Sequence, residues 1–173
     1  MLKRPNADEY AAYYAAYIDR VPEGELSAVL RQQMMNTVAL LSGISSAQAD
    51  YRYAPGKWTV KEVLGHIMDT ERIMSYRLMR FARGDVTPLP GYDDEAYVTE
   101  ACFHERDMAD LLQEFTDVRR STLTLLRGVP QPAWSRTGTA NEGKLSARAL
   151  AYVITGHESH HINVLQERYE LGQ

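Results

Sequence analysis

Cysteine is almost absent from this chain, since Cys102 is the only one in 173 residues. A single cysteine excludes an internal disulfide and fits a reducing compartment, so we expect a cytoplasmic protein. No apolar run approaches the roughly 18 residues that a membrane-spanning helix needs. Residues 1–6 contain two basic side chains but no apolar core behind them, so no secretory signal is expected.

An excess of basic charge is also lacking. The chain has 19 Lys and Arg against 23 Asp and Glu, which gives a net charge of −4. Binding to a nucleic-acid backbone needs a basic face, so nucleic acid is not an expected partner. A small-molecule substrate is expected instead, no membrane is expected as a partner, and the sequence leaves a homodimer open.

Strand-like alternation, internal repeats and low-complexity tracts are missing as well. Helical periodicity is strong, however, and apolar residues recur at helical spacing in four long segments. These predict amphipathic helices over about 25–44, 60–82, 106–127 and 146–169. Thr59 and Glu62 have the spacing of a capping box at the start of the second helix, and Ser146 is expected to cap the last. A short tyrosine-rich helix is predicted over 7–20.

The predicted fold is therefore all-α, a four-helix bundle with a short additional N-terminal helix, in a single domain that spans 1–173. The connections are predicted to be loops, and they are longer than tight hairpins need. Their length leaves the order of the helices around the bundle open. The connection 84–104 is expected to cross the end of the bundle and to cover a pocket.

Three of the five histidines lie within five residues of the last predicted helix, at His157, His160 and His161. His157 and His161 are one turn apart on the midline of its apolar stripe, whereas His160 is at the edge. Side chains at this spacing are about 5–6 Å apart at Cβ, so both imidazoles can reach one metal ion. The alternative is a pair of core histidines that hydrogen bond to facing helices.

Each long helix also has a polar residue where a purely apolar core would place leucine. We expect these residues to form a polar layer that lines a cavity inside the bundle. The alternative is a self-satisfied network, in which Glu71 pairs with Arg119 and the histidines bond to Gln33 or Thr37. The set comprises Gln33, Thr37, Glu71 with His66 nearby, Arg119, His157 and His161.

A third imidazole from His66 would give one ion three histidine ligands and an open fourth position. This ligand count is typical of catalytic rather than structural sites. Such a site can polarise an oxygen, generate hydroxide near neutral pH or hold a thiolate. Three histidines suit Zn, Ni, Fe or Cu, so the ligand set does not identify the ion.

His157, Glu158 and His161 also match the His-Glu-x-x-His pattern of metalloproteases. That interpretation is not favoured, because only twelve residues follow His161 and no supporting β-sheet is predicted. Glu158 is interpreted as a solvated carboxylate or one that supports a ligand, in preference to a general base. His160 and His104 are interpreted as surface or supporting residues.

Several segments, taken in order, resemble the DinB/YfiT-like family of metal-dependent enzymes (the DinB superfamily). They read PGKWTVKEVLGH at 55–66, DTER at 69–72, RFARGD at 80–85, PLPGY at 88–92 and GHESHH at 156–161. The resemblance covers nearly the whole chain. It implies a four-helix bundle with a metal bound by one histidine of the second long helix and two of the last, here His66, His157 and His161.

The resemblance also implies a small-molecule enzyme with thiol S-transferase or hydrolase chemistry at this three-histidine site, and identifies no catalytic residue. The implied cofactor is a divalent transition metal, with Zn or Ni first and Fe or Mn as alternatives. Some relatives also use a low-molecular-weight thiol. One rival is a bundle protein that binds a metal or ligand without catalytic turnover, and another is a structural protein with a satisfied polar core.

Overall fold

Four long helices dominate the computed structural model, which describes residues 2–172. They confirm the predicted all-α fold, with ends within about two residues of those expected from the sequence. The helices are α1 (Ala15–Ile18), α2 (Leu26–Ser42), α3 (Ser46–Ala49), α4 (Val60–Ala82), α5 (Asp94–Ala101), α6 (Met108–Arg127) and α7 (Ala147–Arg168). Two short strands, β1 (Thr137–Ala140) and β2 (Gly143–Ser146), pair antiparallel.

The ends of the long helices follow the local sequence. The Thr59 hydroxyl accepts a hydrogen bond from the Glu62 amide, and the Glu62 carboxylate accepts one from the Thr59 amide at 2.7 Å. This reciprocal pair confirms the capping box and satisfies two amides that the helix itself leaves free. Ser146 likewise caps α7 by accepting from the Ala149 amide.

The order of the long helices around the bundle, which the sequence left open, is α2, α6, α4, α7. Helix α4 packs against α6 and α7, and α2 packs against the same two helices from the other side. Consecutive long helices α2 and α4 are therefore diagonal to each other, as are α6 and α7. A diagonal crossing needs a longer connection than an adjacent hairpin, which explains two of the long segments between helices.

The N-terminal segment is not the continuous helix predicted over 7–20. It consists of two short 3-10 turns, Ala7–Glu9 and Ala12–Tyr14, followed by the single-turn helix α1. Between the turns the backbone is extended, because Tyr10 pairs with Leu145 of β2 and the Ala11 amide donates to the Lys144 carbonyl. Tertiary pairing with the hairpin overrides the local helical pattern.

The connections predicted to be loops contain regular structure. Residues 84–104 include α5, and 131–144 include most of the β-hairpin, whose turn residues Asn141 and Glu142 both have positive φ. Two positive φ angles are typical of the type I′ turn, which matches the twist of paired strands. Leu89 pairs with Ala140, so the two connections are fastened together at one end of the bundle. Strands of four residues are too short for sequence alternation to reveal them.

A polar belt separates two apolar clusters along the bundle. One cluster contains Leu30, Leu78 and Phe81, and the other contains Leu64, Leu111 and Phe115. Between them, the long helices contribute buried polar side chains. None of the described helices has the length and hydrophobicity required to cross a bilayer. The belt includes Thr37, Thr70, Glu71, Arg119, Thr122, Thr155, His157 and Glu158.

Candidate metal centre

Three histidines converge at one side of the polar belt. His66 comes from α4, and His157 and His161 come from successive turns of α7. The Nε2 atom of His157 lies 3.0 Å from Nε2 of His66 and 3.1 Å from Nε2 of His161. The structure therefore brings together the three histidines that the sequence selected, and the α4–α7 contact is what joins them.

The donor atoms have spacings that suit one metal ion. Each histidine offers a ring nitrogen, and these nitrogens all lie within 4.8 Å of one another. Zinc–nitrogen bonds of about 2.0–2.1 Å in tetrahedral geometry place neighbouring nitrogens about 3.3 Å apart. The two separations of 3.0 and 3.1 Å are within a few tenths of an ångström of that value, so small side-chain adjustments are sufficient to accommodate an ion.

Burial keeps these imidazoles neutral, which is the protonation state that binds metal. It lowers the pKa of His66 to about 4 and that of His161 to about 3. The pKa of His157 is also lowered well below its ordinary value, by burial first and by its two histidine neighbours second. At neutral pH the cluster is therefore a set of uncharged donors.

A cavity of about 220 Å³ opens on the cluster. All three histidines lie on its wall, so a ligand in the cavity has access to the point where their nitrogens converge. The wall is built from α1 and the 3-10 turn before it, α4 and Trp58 before it, α7, the start of α5 with the segment before it, and the hairpin turn. The other lining residues are Tyr13, Tyr14, Tyr17, Trp58, Thr70, Met74, Arg77, Gly91, Tyr92, Asp94, Asn141 and Val153.

Aromatic rings pack against two of the imidazoles. The Trp58 ring centroid lies 4.7 Å from that of His66, and the Tyr17 centroid lies 5.4 Å from that of His157. Tyr17 can come this close because α7 has a glycine, Gly156, beside it. A Cβ atom at Gly156 would lie 1.8 Å from the Tyr17 carbonyl oxygen. The glycine therefore sets the distance between α1 and the histidine helix.

Four other belt residues, Thr37, Glu71, Arg119 and Glu158, form a separate ion network. Arg119 donates from Nη2 to Glu71 at 2.8 Å and to Glu158 at 2.6 Å. It also donates to the Leu30 carbonyl, and the Thr37 hydroxyl donates to Glu158 at 2.7 Å. Burial raises the pKa of Glu158 despite the opposing effects of Arg119 and Thr37.

This network corrects several expectations from the sequence. Glu158 is 1% exposed, so it is not a solvated carboxylate, and it lies outside the cavity wall. Glu71 and Arg119 do pair, as one alternative predicted, but they do not line the cavity. Gln33 bonds to the Thr155 carbonyl and the Ser159 hydroxyl, and not to a histidine. The predicted polar layer exists, but only its histidines face the cavity.

The two remaining histidines lie outside the cluster. His160 is half-buried, with its ring edge-on to Tyr17 and to His161. His104 is exposed and its Nδ1 lies 3.4 Å from a carboxylate oxygen of Glu62. Both positions agree with their interpretation as surface or supporting residues.

Sequence reasoning missed four polar residues on the cavity wall, namely Thr70, Arg77, Asp94 and Asn141. Thr70 and Arg77 could have been found, since they follow His66 by four and eleven residues and share its face of α4. Asp94 and Asn141 belong to the two connections. Only the pairing of those connections with each other brings both to the cavity.

Comparisons with known proteins agree with this geometry. Residues 29–165 match the family described as the DinB superfamily. A protein of Bacillus pumilus (strain SAFR-032) named "Putative metal-dependent hydrolase" is 23% identical over 137 residues, which cover 78% of each chain.

Two solved structures share the fold. YfiT from Bacillus subtilis, described as a probable metal-dependent hydrolase with an unusual four-helix bundle topology, is 19% identical with a TM-score of 0.75. The match covers 87% of this chain and 91% of YfiT. The mycothiol-dependent maleylpyruvate isomerase is 17% identical with a TM-score of 0.64, over 84% of this chain and 61% of that one.

Proposed function

Because this chain belongs to the DinB superfamily, we propose that it is a metal-dependent enzyme that acts on a small molecule in the histidine cavity. The observation that carries the proposal is the convergence of three neutral imidazoles, two buried and one half-buried, at the wall of a cavity. A purely structural histidine cluster needs no cavity. The alternative is a protein that binds a metal without catalytic turnover. A fourth protein ligand that closes the site would favour it, whereas here the shared face of the three histidines is open to the cavity.

His66, His157 and His161 are the proposed metal ligands. A bound divalent ion would supply Lewis acidity and would lower the pKa of a water or thiol that ligates it. The protein fixes the donors from two helices, keeps them neutral and surrounds them with aromatic side chains. Zn and Ni suit an all-imidazole site, with Fe and Mn as alternatives.

Hydrolysis is the first chemistry that we propose. A hydrolase needs a base within reach of the attacking water, and the network with Arg119 and Thr37 removes Glu158 from consideration. Asp94, at the start of α5, is the carboxylate on the cavity wall. Its charge opposes the lowering of the His66 pKa by burial, which supports a role for it beside the cluster. Asp94 is therefore the proposed base.

Thiol transfer is the second candidate. The solved structure of a mycothiol-dependent isomerase has the same fold, and a thiol bound at the metal would need less help from a protein base. Asp94 would then matter little for the nucleophile. The two chemistries thus differ in whether a carboxylate beside the cluster is required.

An activity screen of metal-loaded protein, purified without a histidine tag, tests the proposal. Ester, amide and phosphoester substrates are assayed without thiol, and electrophiles are then assayed with several low-molecular-weight thiols. We expect turnover in one arm and none after chelation of the metal. Turnover that persists without metal, or in His66→Ala, contradicts the proposal.

Two variants refine the result. Asp94→Asn should reduce hydrolysis by roughly 100-fold or more, as expected for loss of a general base, and should leave thiol transfer nearly unchanged. His104→Ala is the matched control for His66→Ala, because it removes an exposed histidine outside the cluster. It should retain both metal and activity.

A further inference from the structure

Two buried arginines, Arg77 and Arg119, differ in whether a carboxylate lies beside them. Arg119 is fully buried and has two carboxylate partners. Arg77 is 3% exposed, yet among residues 2–172 it forms no ion pair with a carboxylate, and its hydrogen bonds go to uncharged groups. A buried charge without a counter-charge is costly. The position of Arg77 on the cavity wall indicates where a counter-charge can come from.

The contacts of Arg77 leave much of its guanidinium unused. Nη2 donates to the Pro90 carbonyl at 2.7 Å, and Nη1 lies 3.6 Å from the Met74 sulfur, which is a weak acceptor. The Tyr92 ring lies 5.9 Å from the guanidinium carbon. Arg77 also lies close to the Tyr14 hydroxyl, since its charge and a hydrogen bond from it oppose the raising of the Tyr14 pKa by burial. A guanidinium has five N–H donors, so some of them still have no strong acceptor among these contacts.

The direction of the side chain places it over the same cavity as the histidines. Arg77 follows His66 by eleven residues on one face of α4, a rise of about 16.5 Å along the axis. Side chains on a helix lean toward its N-terminus, and the contact with Met74 shows that Arg77 does so. The guanidinium therefore points back along the wall toward Thr70 and His66.

We infer that Arg77 is an anion-binding group of this cavity, and that its ligand is a small molecule with a carboxylate at the opposite end from the group that reacts at the histidine cluster. The inference deepens the proposed function and rests on it for the identity of the reacting end. The role of Arg77 is substrate positioning, since it lies at the far end of the cavity from the cluster.

Charge and size favour a small carboxylate. Arg77 is the only lysine or arginine among the described residues that line the cavity, and Asp94, the carboxylate on the same wall, forms no ion pair with it. Arg77 therefore matches one negative charge on a ligand, and a guanidinium binds carboxylates with two parallel hydrogen bonds. The volume of about 220 Å³ lies below the range of about 300–1,000 Å³ that is typical of drug-sized ligands. The carboxylate can belong to the substrate that is attacked or to a thiol that attacks it.

Anchoring of the loop is the competing role for Arg77. Its bond to Pro90 does fasten the segment before α5, but one neutral carbonyl does not balance a buried positive charge. The two roles predict different effects of substitution. Loss of an anchor changes stability without changing the preference among ligands, whereas loss of an anion site removes a preference for charge.

Binding of matched ligand pairs to zinc-loaded protein tests the inference by calorimetry. The thiol arm compares 6-mercaptohexanoate with its amide, and the thiol-free arm compares adipate with its monoamide, which keeps one carboxylate for the metal end. Wild-type protein should bind the carboxylate roughly tenfold to a hundredfold more tightly in at least one arm, as expected for charge-assisted hydrogen bonds. The arm with the preference identifies which reactant has the carboxylate.

Arg77→Met should abolish the preference and retain zinc, and Arg77→Lys should restore part of it.

Arg72→Met is the matched control, since it removes the same charge from α4 at a residue that pairs with Glu114 outside the cavity. It should retain the full preference. If Arg77→Met does not fold, Arg77→Gln takes its place. An equal preference in wild type and the Arg77 variants, or no preference in wild type, overturns the inference. Failure of the protein to load zinc counts against the proposed function alone, because the thiol-free arm can be repeated on metal-free protein.

Discussion

Among single residues, Arg119 holds the polar belt together. It is fully buried and joins α6 to Glu71 of α4, Glu158 of α7 and the backbone of α2. A guanidinium can make these bonds simultaneously because its donors are fixed in one plane. The belt is therefore held by one cation that contacts all four long helices.

Substitution of Arg119 should be severe for stability and mild for metal binding. Arg119→Met leaves two buried carboxylates without a counter-charge, so we expect a loss of about 3–5 kcal/mol. The histidine cluster has no bond to Arg119, so the folded variant should retain metal. Chemical denaturation and metal analysis measure the two effects.

Arg72→Met is the control for Arg119→Met, because it removes an arginine from exposed ion pairs. Arg72 is about half exposed and pairs with Asp69 and Glu114, and exposed ion pairs contribute at most about 1 kcal/mol. A loss for Arg119→Met no larger than for Arg72→Met would show that the buried network is not stabilising.

Among the secondary-structure elements, the contact between α1 and α7 depends on Gly156. Gly156→Ala would place Cβ 1.8 Å from a backbone oxygen that cannot rotate away, so α1 must move. Overpacking of this kind costs about 1–3 kcal/mol, and the shift should also displace Tyr17 from His157. We expect a lower melting temperature and weaker ligand binding in the cavity.

Gly43→Ala is the control for this effect. Gly43 follows the end of α2 with negative φ, and an added Cβ meets nothing within 4 Å. It should fold with nearly unchanged stability. Equal melting temperatures for the two alanine variants would contradict the role of Gly156 as a spacer.

The N-terminal segment is attached to the start of α7 through a carboxylate whose pKa makes the attachment pH-dependent. Burial alone would raise the pKa of Glu9, but hydrogen bonds from Arg148, the Asn6 amide and Ser146 outweigh it and lower the pKa from 4.5 to about 2. A carboxylate with a lowered pKa in the folded state stabilises the fold above its unfolded pKa. That contribution is lost as the pH falls through about 4.5 to 2.

Glu9→Gln should therefore lower the free energy of unfolding at pH 7, and its difference from wild type should shrink progressively below pH 4.5. Denaturant titrations at several pH values measure the difference. Glu23→Gln, at a side chain that is 93% exposed, gives the baseline. A difference that stays constant down to pH 2 would mean that Glu9 does not stabilise the fold through its charge.

For the whole molecule, the proposed metal joins α4 to α7 across the polar belt that divides the apolar core. We also propose that residues 1–173 form one domain, so a single unfolding transition is expected. A ligand that binds only the folded state stabilises it by about 1.4 kcal/mol for each tenfold rise in free concentration above its Kd. The melting temperature should therefore rise with free zinc.

His157→Ala should remove this dependence, because it deletes the imidazole that lies between the other two. His104→Ala should keep it. Melting curves at buffered zinc concentrations, together with metal analysis, make the comparison. A zinc-dependent transition that survives in His157→Ala would show that the stabilising ion binds elsewhere.

The sequence by itself determined the long helices, the N-caps of α4 and α7, and the three histidines of the cluster. These features depend on local periodicity, and His157 and His161 face the same way on any helix because they are four residues apart. His66 could be added because it lies toward the edge of the apolar stripe of its helix and matches a family motif. The pairing of Glu71 with Arg119 could also be anticipated, since each occupied a position that buries a charge.

Only the tertiary structure decided which polar residues face the cavity. Periodicity gives the face of each helix but not the rotation of one helix relative to another, so it could not separate Glu158 from the histidines. It also could not place Asp94 or Asn141, which reach the cavity because Leu89 pairs with Ala140. Such pairing joins residues distant in the chain, and it left a deeply buried Arg77 without a carboxylate partner beside the proposed metal site.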